Sequence, residues 1–218
     1  ALDECGVCDG DDTSCVASLS FGAFDSSGSV EVLYDFGSAV AGFQFDVTGL
    51  SGLSASGGAA GDAGFEVSAG AGTVIGFSFT GAEISGSGVL TVLSFNSVTD
   101  GMSTLSLGNF GAISGTDGSI FDATVSGSID HGDQDCAGDY YGSAALDCAD
   151  VCGGDSVLSG CDNACNSTLA DDCAGVCGGD SVLSGCDNAC NSTLADDCAG
   201  VCGGDSVLSG CDNACNST

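Results

Sequence analysis

The sequence predicts an all-β protein: a two-sheet sandwich followed by a core-poor, disulfide-stapled repeat tail. Three observations lead there. From Val16 to about Asp130, short apolar runs alternate with polar residues at a period of two. From Cys148 a 25-residue unit, CADVCGGDSVLSGCDNACNSTLADD, returns at Cys173 and, truncated, at Cys198. All 16 cysteines lie outside the alternating segment.

Taken in order, residues 1–15 (ALDECGVCDGDDTSC) form a Cys/Asp/Gly segment with Cys5, Cys8 and Cys15. Its opening, Ala1 to Cys5, echoes Leu169 to Cys173. The segment is therefore a shortened relative of the tail unit. It reads either as a disulfide-pinned loop or as the continuation of a preceding protomer's tail. The chain starts at Ala1 and stops inside a repeat at Thr218, which reads as a mature protein or a segment of a longer one.

Over residues 16–130 the alternation is explicit. Val30, Val32, Tyr34 and Phe36 alternate with Glu31 and Asp35; Phe43, Phe45 and Val47 with Gln44 and Asp46; Ile75, Phe77 and Phe79 with Gly76 and Ser78. A period of two marks strands with one buried face, so these three apolar sets are the expected core. Further strands are expected at 16–23, 64–69, 88–96, 103–108 and 119–127. Turn signals such as Ser26-Ser27-Gly28 and Asp117-Gly118 fall between strands, and no segment carries a helical stripe. Eight or so short strands in about 115 residues predict two packed sheets.

Three stretches, VAGFQFDVTGL at 40–50, GTVIGFSFT at 72–80 and ISGSGVLTVLSF at 84–95, resemble the cohesin-like sandwich family. The resemblance spans residues 16–130 and implies the jelly-roll architecture that this family shares with cellulose-binding modules. It implies a non-catalytic module whose faces contact proteins or carbohydrate.

Residues 131–147 are an acidic linker. Its Cys136–Gly142 stretch reads as a degenerate repeat in which Tyr140 stands in the place of a cysteine. The three units at 148–218 carry Cys148, Cys152, Cys161 and Cys165; Cys173, Cys177, Cys186 and Cys190; and Cys198, Cys202, Cys211 and Cys215. Where the copies overlap they differ only at Asp150, which becomes Gly175 and Gly200. The units resemble Cys/Asp-rich repeats of secreted surface proteins of aquatic microbes, and more distantly the calcium-wrapping thrombospondin type 3 repeats.

Each unit is too short to bury a core, so cross-links, ions or neighbours must hold it. All 16 cysteines are assigned to disulfides. Four per unit allow three internal pairings, and sequence does not choose among them. Zinc is the rival use of the thiols, but clustered cysteines outside the cell form disulfides.

Asp130, Asp133 and Asp135 crowd around Gly132, and Asp155, Asp180 and Asp205 each follow Gly-Gly. Hard oxygen ligands on tight turns suit calcium; the alternative is that these residues make turns and keep the rod soluble. Asn166, Asn191 and Asn216 open N-x-S/T sequons at the repeat period, with Ser167, Thr168, Ser192, Thr193, Ser217 and Thr218 as O-linked alternatives.

Composition narrows the partners. The chain has no Lys or Arg, 31 acidic residues and a formal net charge of −31. Nucleic acid and anionic lipid lose their main electrostatic attraction, and no hydrophobic run is long enough to span a membrane. The single histidine, His131, sits in an acidic loop, where a solvated residue is expected rather than a general base. No nucleophile elbow or metal-binding His pair occurs, so no enzyme activity is expected.

The leading reading is a structural subunit of an extracellular, glycosylated fibre, sheath or surface matrix. It would self-associate through the sandwich and the stapled repeats into a homopolymer. The alternative is an adhesin-type module on a repeat stalk that binds a glycan or a surface protein. No cofactor is required; calcium and covalent glycans are the candidates.

Overall fold

The computed structural model describes residues 16–216. Cys5, Cys8, Cys15, Ser217 and Thr218 lie outside the described residues. The chain divides into two compact units, one ending at Ala144 and one beginning at Ala145.

The first unit is a two-sheet sandwich. One sheet contains β1 (Val16–Asp25), β2 (Ser29–Val40), β5 (Ser54–Ser56), β8 (Ile84–Ser94) and β12 (Asp122–Val125), in the order β12-β1-β2-β8-β5. The other contains β3 (Gly42–Thr48), β6 (Glu66–Gly70), β7 (Thr73–Phe77), β10 (Met102–Ser106) and β13 (Gly127–Asp130), in the order β13-β10-β3-β7-β6. The short strand β11 (Ala112–Ser114) also pairs with β3. A small ribbon of β4 (Leu50–Ser51) and β9 (Ser97–Val98) completes the strands of this unit. Neighbours are antiparallel except β1 and β12, which run parallel, so the last strand of the first sheet closes beside the first.

The core follows the alternation. Val30, Val32 and Phe36 of β2, Phe43, Phe45 and Val47 of β3, and Leu90 and Leu93 of β8 are buried between the sheets. Burying side chains of this size contributes about 1.5–3 kcal/mol each, which makes the two inner faces the source of the unit's stability.

Two expectations need correction. A five-residue helix, α1 (Gly58–Asp62), lies between β5 and β6, where no helix was expected. It has no apolar stripe for a periodicity to reveal; Ala60 is its buried residue.

The second correction concerns β7. Its inward residues are Val74 and Gly76, while Ile75 and Phe77 face outward and Phe79 lies beyond the strand at 80 % exposure. Gly76 sets this phase. A β-carbon there would fall inside the ring of Phe43, its register partner on β3. Phe43 fills the space that a side chain at 76 would need, so Gly76 goes in and the bulky residues beside it go out.

Among the described residues of the second unit none is buried. Each copy instead contains one two-residue ribbon: β14 (Leu158–Ser159) with β15 (Ala164–Cys165), β16 (Leu183–Ser184) with β17 (Ala189–Cys190), and β18 (Leu208–Ser209) with β19 (Ala214–Cys215). Ribbons this short are not stable alone in water. No helix among the described residues is long and apolar enough to cross a membrane.

Candidate functional site

The outer face of the second sheet carries the inverted residues. Register places Gln44 of β3 between Ile75 of β7 and Ala112 of β11, and Gly42 between Phe77 and Ser114. Phe110, just before β11, is 87 % exposed, and Gln44 Nε2 donates to its carbonyl at 3.1 Å. Ile75, Phe77 and Phe110 line a shallow depression of about 220 Å³ floored by Gly42, Gln44 and Gly76. The Phe79 ring meets Phe77 edge-on at 4.8 Å between centroids.

Around this apolar centre the neighbouring positions are polar. Glu66 and Ser68 of β6 pair with Phe77 and Ile75, and Asp46 of β3 accepts a bond from Thr73 Oγ1 at 2.8 Å. An aromatic centre inside a polar rim is the anatomy of a protein-binding surface. Alternation along the chain points Ile75, Phe77 and Phe79 into the core and gives no sign of Phe110. The missed signal was Gly76 opposite a Phe.

His131 is not solvated. It is 5 % exposed, with Nε2 2.7 Å from Ser103 Oγ and Nδ1 2.7 Å from the Tyr141 hydroxyl. Phe24 covers the ring at 5.1 Å and also packs on Phe95 and Tyr141. Desolvation pushes the imidazole below its ordinary value of 6.5, against the opposing pull of Asp130. The neutral ring therefore donates through one nitrogen and accepts through the other. Ser103 is fully buried, so no substrate reaches its hydroxyl. The Ser–His–Tyr arrangement ties β10 to the segment after β13, and its geometry is that of a clamp.

In the acidic linker and the tail, the carboxylates with the most partners are those just before the first cysteine of each unit. Asp147 Oδ1 accepts the Ala149 and Val151 amides at 2.9 Å each, and Oδ2 accepts Ser156 at 3.0 Å. Asp172 and Asp197 repeat the pattern. So does Asp135, with Ala137, Asp139 and Ala144. The Asp135 turn therefore has the same bonding as the turns of the tail units, with Tyr140 at the position equivalent to Cys152.

Backbone N–H groups, those of Val151, Val176 and Val201 foremost, hold Asp147, Asp172 and Asp197 below the ordinary carboxylate value. A β-carbon at Gly154 would fall on Asp147 Oδ2, so the glycine leaves room for the carboxylate. Asp130, Asp133, Asp155, Asp180 and Asp205 are exposed. Among the described residues, the groups of three side chains close enough to share an ion are Cys161, Asp171 and Cys177, and Cys186, Asp196 and Cys202. Their cysteines are paired with each other, so their sulfurs are not thiolate ligands.

The disulfides alternate. Cys148–Cys165, Cys173–Cys190 and Cys198–Cys215 lie within a unit. Cys161–Cys177 and Cys186–Cys202 join one unit to the next. Cys136 and Cys152 are disulfide-bonded as well. The connectivity that the sequence left open is thus partly between units: the third cysteine of a unit reaches the second cysteine of its successor. Cys211 carries a free, exposed thiol in the structure.

Each sequon asparagine closes a turn. Asn166 Nδ2 donates to Ser156 Oγ at 3.0 Å and Oδ1 accepts the Val157 amide at 3.3 Å, with φ at 55°. Asn191 and Asn216 do the same. Asn is among the few residues that take this left-handed backbone readily. Asp150 also sits there, at φ 60°, which explains why the other copies have Gly175 and Gly200 at that place.

No protein-family model and no curated protein matches the sequence. Solved cohesin modules are similar in structure over about half of the chain. A non-cellulosomal cohesin from Archaeoglobus fulgidus is 18 % identical over 52 % of this chain and 89 % of its own, with a TM-score of 0.38. The match to a type I cohesin–dockerin complex from Clostridium thermocellum is 15 % identical, covering 53 % and 98 %, with a TM-score of 0.41. A type III cohesin from a cell-surface anchoring scaffoldin of Ruminococcus flavefaciens is 13 % identical, covering 60 % and 95 %, with a TM-score of 0.38.

Proposed function

We propose that this chain is a non-enzymatic extracellular scaffold module. Its sandwich holds a protein partner on the aromatic face of the second sheet, and its clasped repeats form the stalk that carries it. The observation behind this reading is the outward phase of β7, which spends Ile75 and Phe77 on solvent beside the exposed Phe110. The charge of this chain selects the partner's chemistry. With 31 acids and no Lys or Arg, a fitting surface offers an apolar knob ringed by basic or uncharged groups. Regular disulfides require an oxidising compartment, which supports an extracellular or cell-surface location. The exposed asparagines Asn166, Asn191 and Asn216 suit glycans on the stalk, and the exposed Asp155, Asp180 and Asp205 suit weak calcium association.

A second reading, a fibre subunit that self-associates, is favoured by the bonds between successive units, which make the tail one covalent ladder. A photo-crosslinking residue at position 77, activated in the native extracellular material, tests both. An adduct with a different protein, lost when Phe110 is replaced by Ser, supports the scaffold reading. An adduct with a second copy supports the fibre reading, and absence of any adduct removes the aromatic face as a binding site.

A further inference from the structure

We infer that a second hollow on the same sheet takes the side chain of a lysine from the partner, with its ammonium on the carboxylate of Asp46. The inference rests on the scaffold reading in taking that partner to be a protein, and it adds the charged contact that selects it.

The hollow, of about 450 Å³, lies between the end of β3, β4 and the turn that joins β6 to β7. Its polar lining is a carboxylate and hydroxyls. Asp46 Oδ1 accepts a bond from Thr73 Oγ1 at 2.8 Å, Thr48 Oγ1 pairs with Thr104 Oγ1 at 2.6 Å, and Ser51 Oγ pairs with Ser97 Oγ at 2.7 Å. Each pair consumes one hydroxyl proton, and the oxygens keep lone pairs, so the hollow offers more acceptors than donors. An ammonium complements such a set, because it brings three N–H donors and no acceptor. Leu50, Leu53 and Ala71 supply an aliphatic wall along which the stem of a lysine can lie while its head reaches Asp46.

The carboxylate favours lysine over arginine. Oδ1 already holds Thr73, and Oδ2 lies against Gly108, where a β-carbon would fall on it. The paired N–H groups of a guanidinium need both carboxylate oxygens side by side. A compact ammonium needs only one oxygen and nearby hydroxyls.

The hollow is shaped before any partner arrives. Ala71 and Gly72 form the two-residue turn between Gly70 and Thr73, at φ 53° and 88°. The Gly72 carbonyl accepts the Val47 amide at 2.7 Å, which ties that turn to β3. Asp46 stands two residues beyond Gln44 on the same face of β3, and Gln44 floors the aromatic depression. The matching partner surface therefore carries its lysine about 7 Å from its apolar knob, two residues' rise along a strand. With no Lys or Arg in its sequence, a second copy of this chain cannot supply that side chain, so the occupant belongs to a different protein.

The first test uses the purified full chain with Nα-acetyl-lysine methylamide and Nα-acetyl-arginine methylamide as probes, read by the amide chemical shifts of Ala71, Gly72 and Thr73. The lysine probe should shift these amides saturably and bind about tenfold more tightly than the arginine probe. Asp46→Asn should weaken the lysine probe about tenfold; it keeps an acceptor for Thr73, so its melting temperature should match the parent's. No saturable shift, equal binding of the two probes, or an unchanged response in Asp46→Asn overturns the inference.

Carbodiimide coupling in the native extracellular material is the second test. It joins a carboxylate to a contacting amine as an amide, and the carbodiimide takes up the water. An amide between Asp46 and a lysine of another protein supports the inference. Coupling at Asp46 no more frequent than at the exposed Asp62 and Asp122 overturns it. The photo-crosslink from position 77 keeps the two readings apart. An adduct there without an Asp46–lysine amide overturns this inference and leaves the aromatic face standing. The amide without an adduct at 77 supports this inference and removes the aromatic face.

Discussion

Cys161 is bonded to Cys177 in the next repeat, although Cys152 and Cys165 lie beside it in the sequence of its own. The loops overlap: the internal bond Cys173–Cys190 begins inside the loop that Cys161–Cys177 closes. A unit cannot peel away from its successor while the clasp is intact. The tail gains through cross-links the cooperativity that solenoids obtain from stacked cores.

Removing one clasp has a local effect. The double variant Cys161→Ser/Cys177→Ser opens a loop with a sequence separation of 16 and should cost the tail about 3 kcal/mol. Limited proteolysis should then cut between Thr168 and Asp171, while thermal melting of the sandwich is unchanged. Unaltered resistance of that segment would show that the clasp contributes nothing.

The aspartate turns should weaken at acid pH. Hydrogen bonds from backbone amides hold Asp147, Asp172 and Asp197 below their ordinary value of 3.8. Their folded state binds fewer protons than the unfolded state there. The stabilisation is complete above that value and is lost as pH falls through the lower folded pKa. Hydrogen exchange at Ala174, Val176 and Ser181 should accelerate over that range. In Asp172→Asn, an NH2 group replaces one carboxylate oxygen, so the same amides should exchange fast even at neutral pH.

His131 gives the sandwich a separate pH dependence. Its pKa is depressed, so the stability tied to the neutral ring is present above 6.5 and declines as pH falls through the folded value. Thermal melting should be lower at pH 5 than at pH 8, and the difference should shrink in His131→Gln. Ser103→Ala leaves a buried ring nitrogen without its partner and should cost about 1–3 kcal/mol at neutral pH. A melting temperature identical to the parent's would remove the clamp from the account.

The two faces of β7 should respond in opposite ways. Val74→Ala empties space in the core and should cost about 2 kcal/mol. Phe77→Ser and Phe110→Ser remove exposed rings, so they should change stability by no more than about 0.5 kcal/mol, and Phe110→Ser should also abolish the crosslink made from position 77. A large loss of stability in Phe77→Ser would return that residue to the core. Denaturant unfolding of the three variants separates these outcomes.

The legible parts of the fold were those in which one residue's neighbours along the chain decide its environment. Val30, Val32 and Phe36, and Phe43, Phe45 and Val47, announce their buried faces by alternation, because a strand exchanges faces at every residue. At β7 the same rule pointed the wrong way. Ile75 and Phe77 are larger than Val74 and Gly76, and size alone put them inside. The vote against came from Phe43, 33 positions earlier, whose ring occupies the space next to Gly76. For His131 the deciding neighbours, Phe24 and Ser103, are also distant in sequence.

By itself the sequence determined the class and the division of labour. It specified a sandwich where apolar residues alternate and a stapled tail where cysteines recur. Those are properties of periodicity and composition, which any compact fold of this chain must respect. The tertiary structure decided which face of β7 meets water, that His131 is buried, and that alternate disulfides cross from one unit to the next. Each depends on which distant groups compete for the same space, and periodicity along the chain carries no record of that competition.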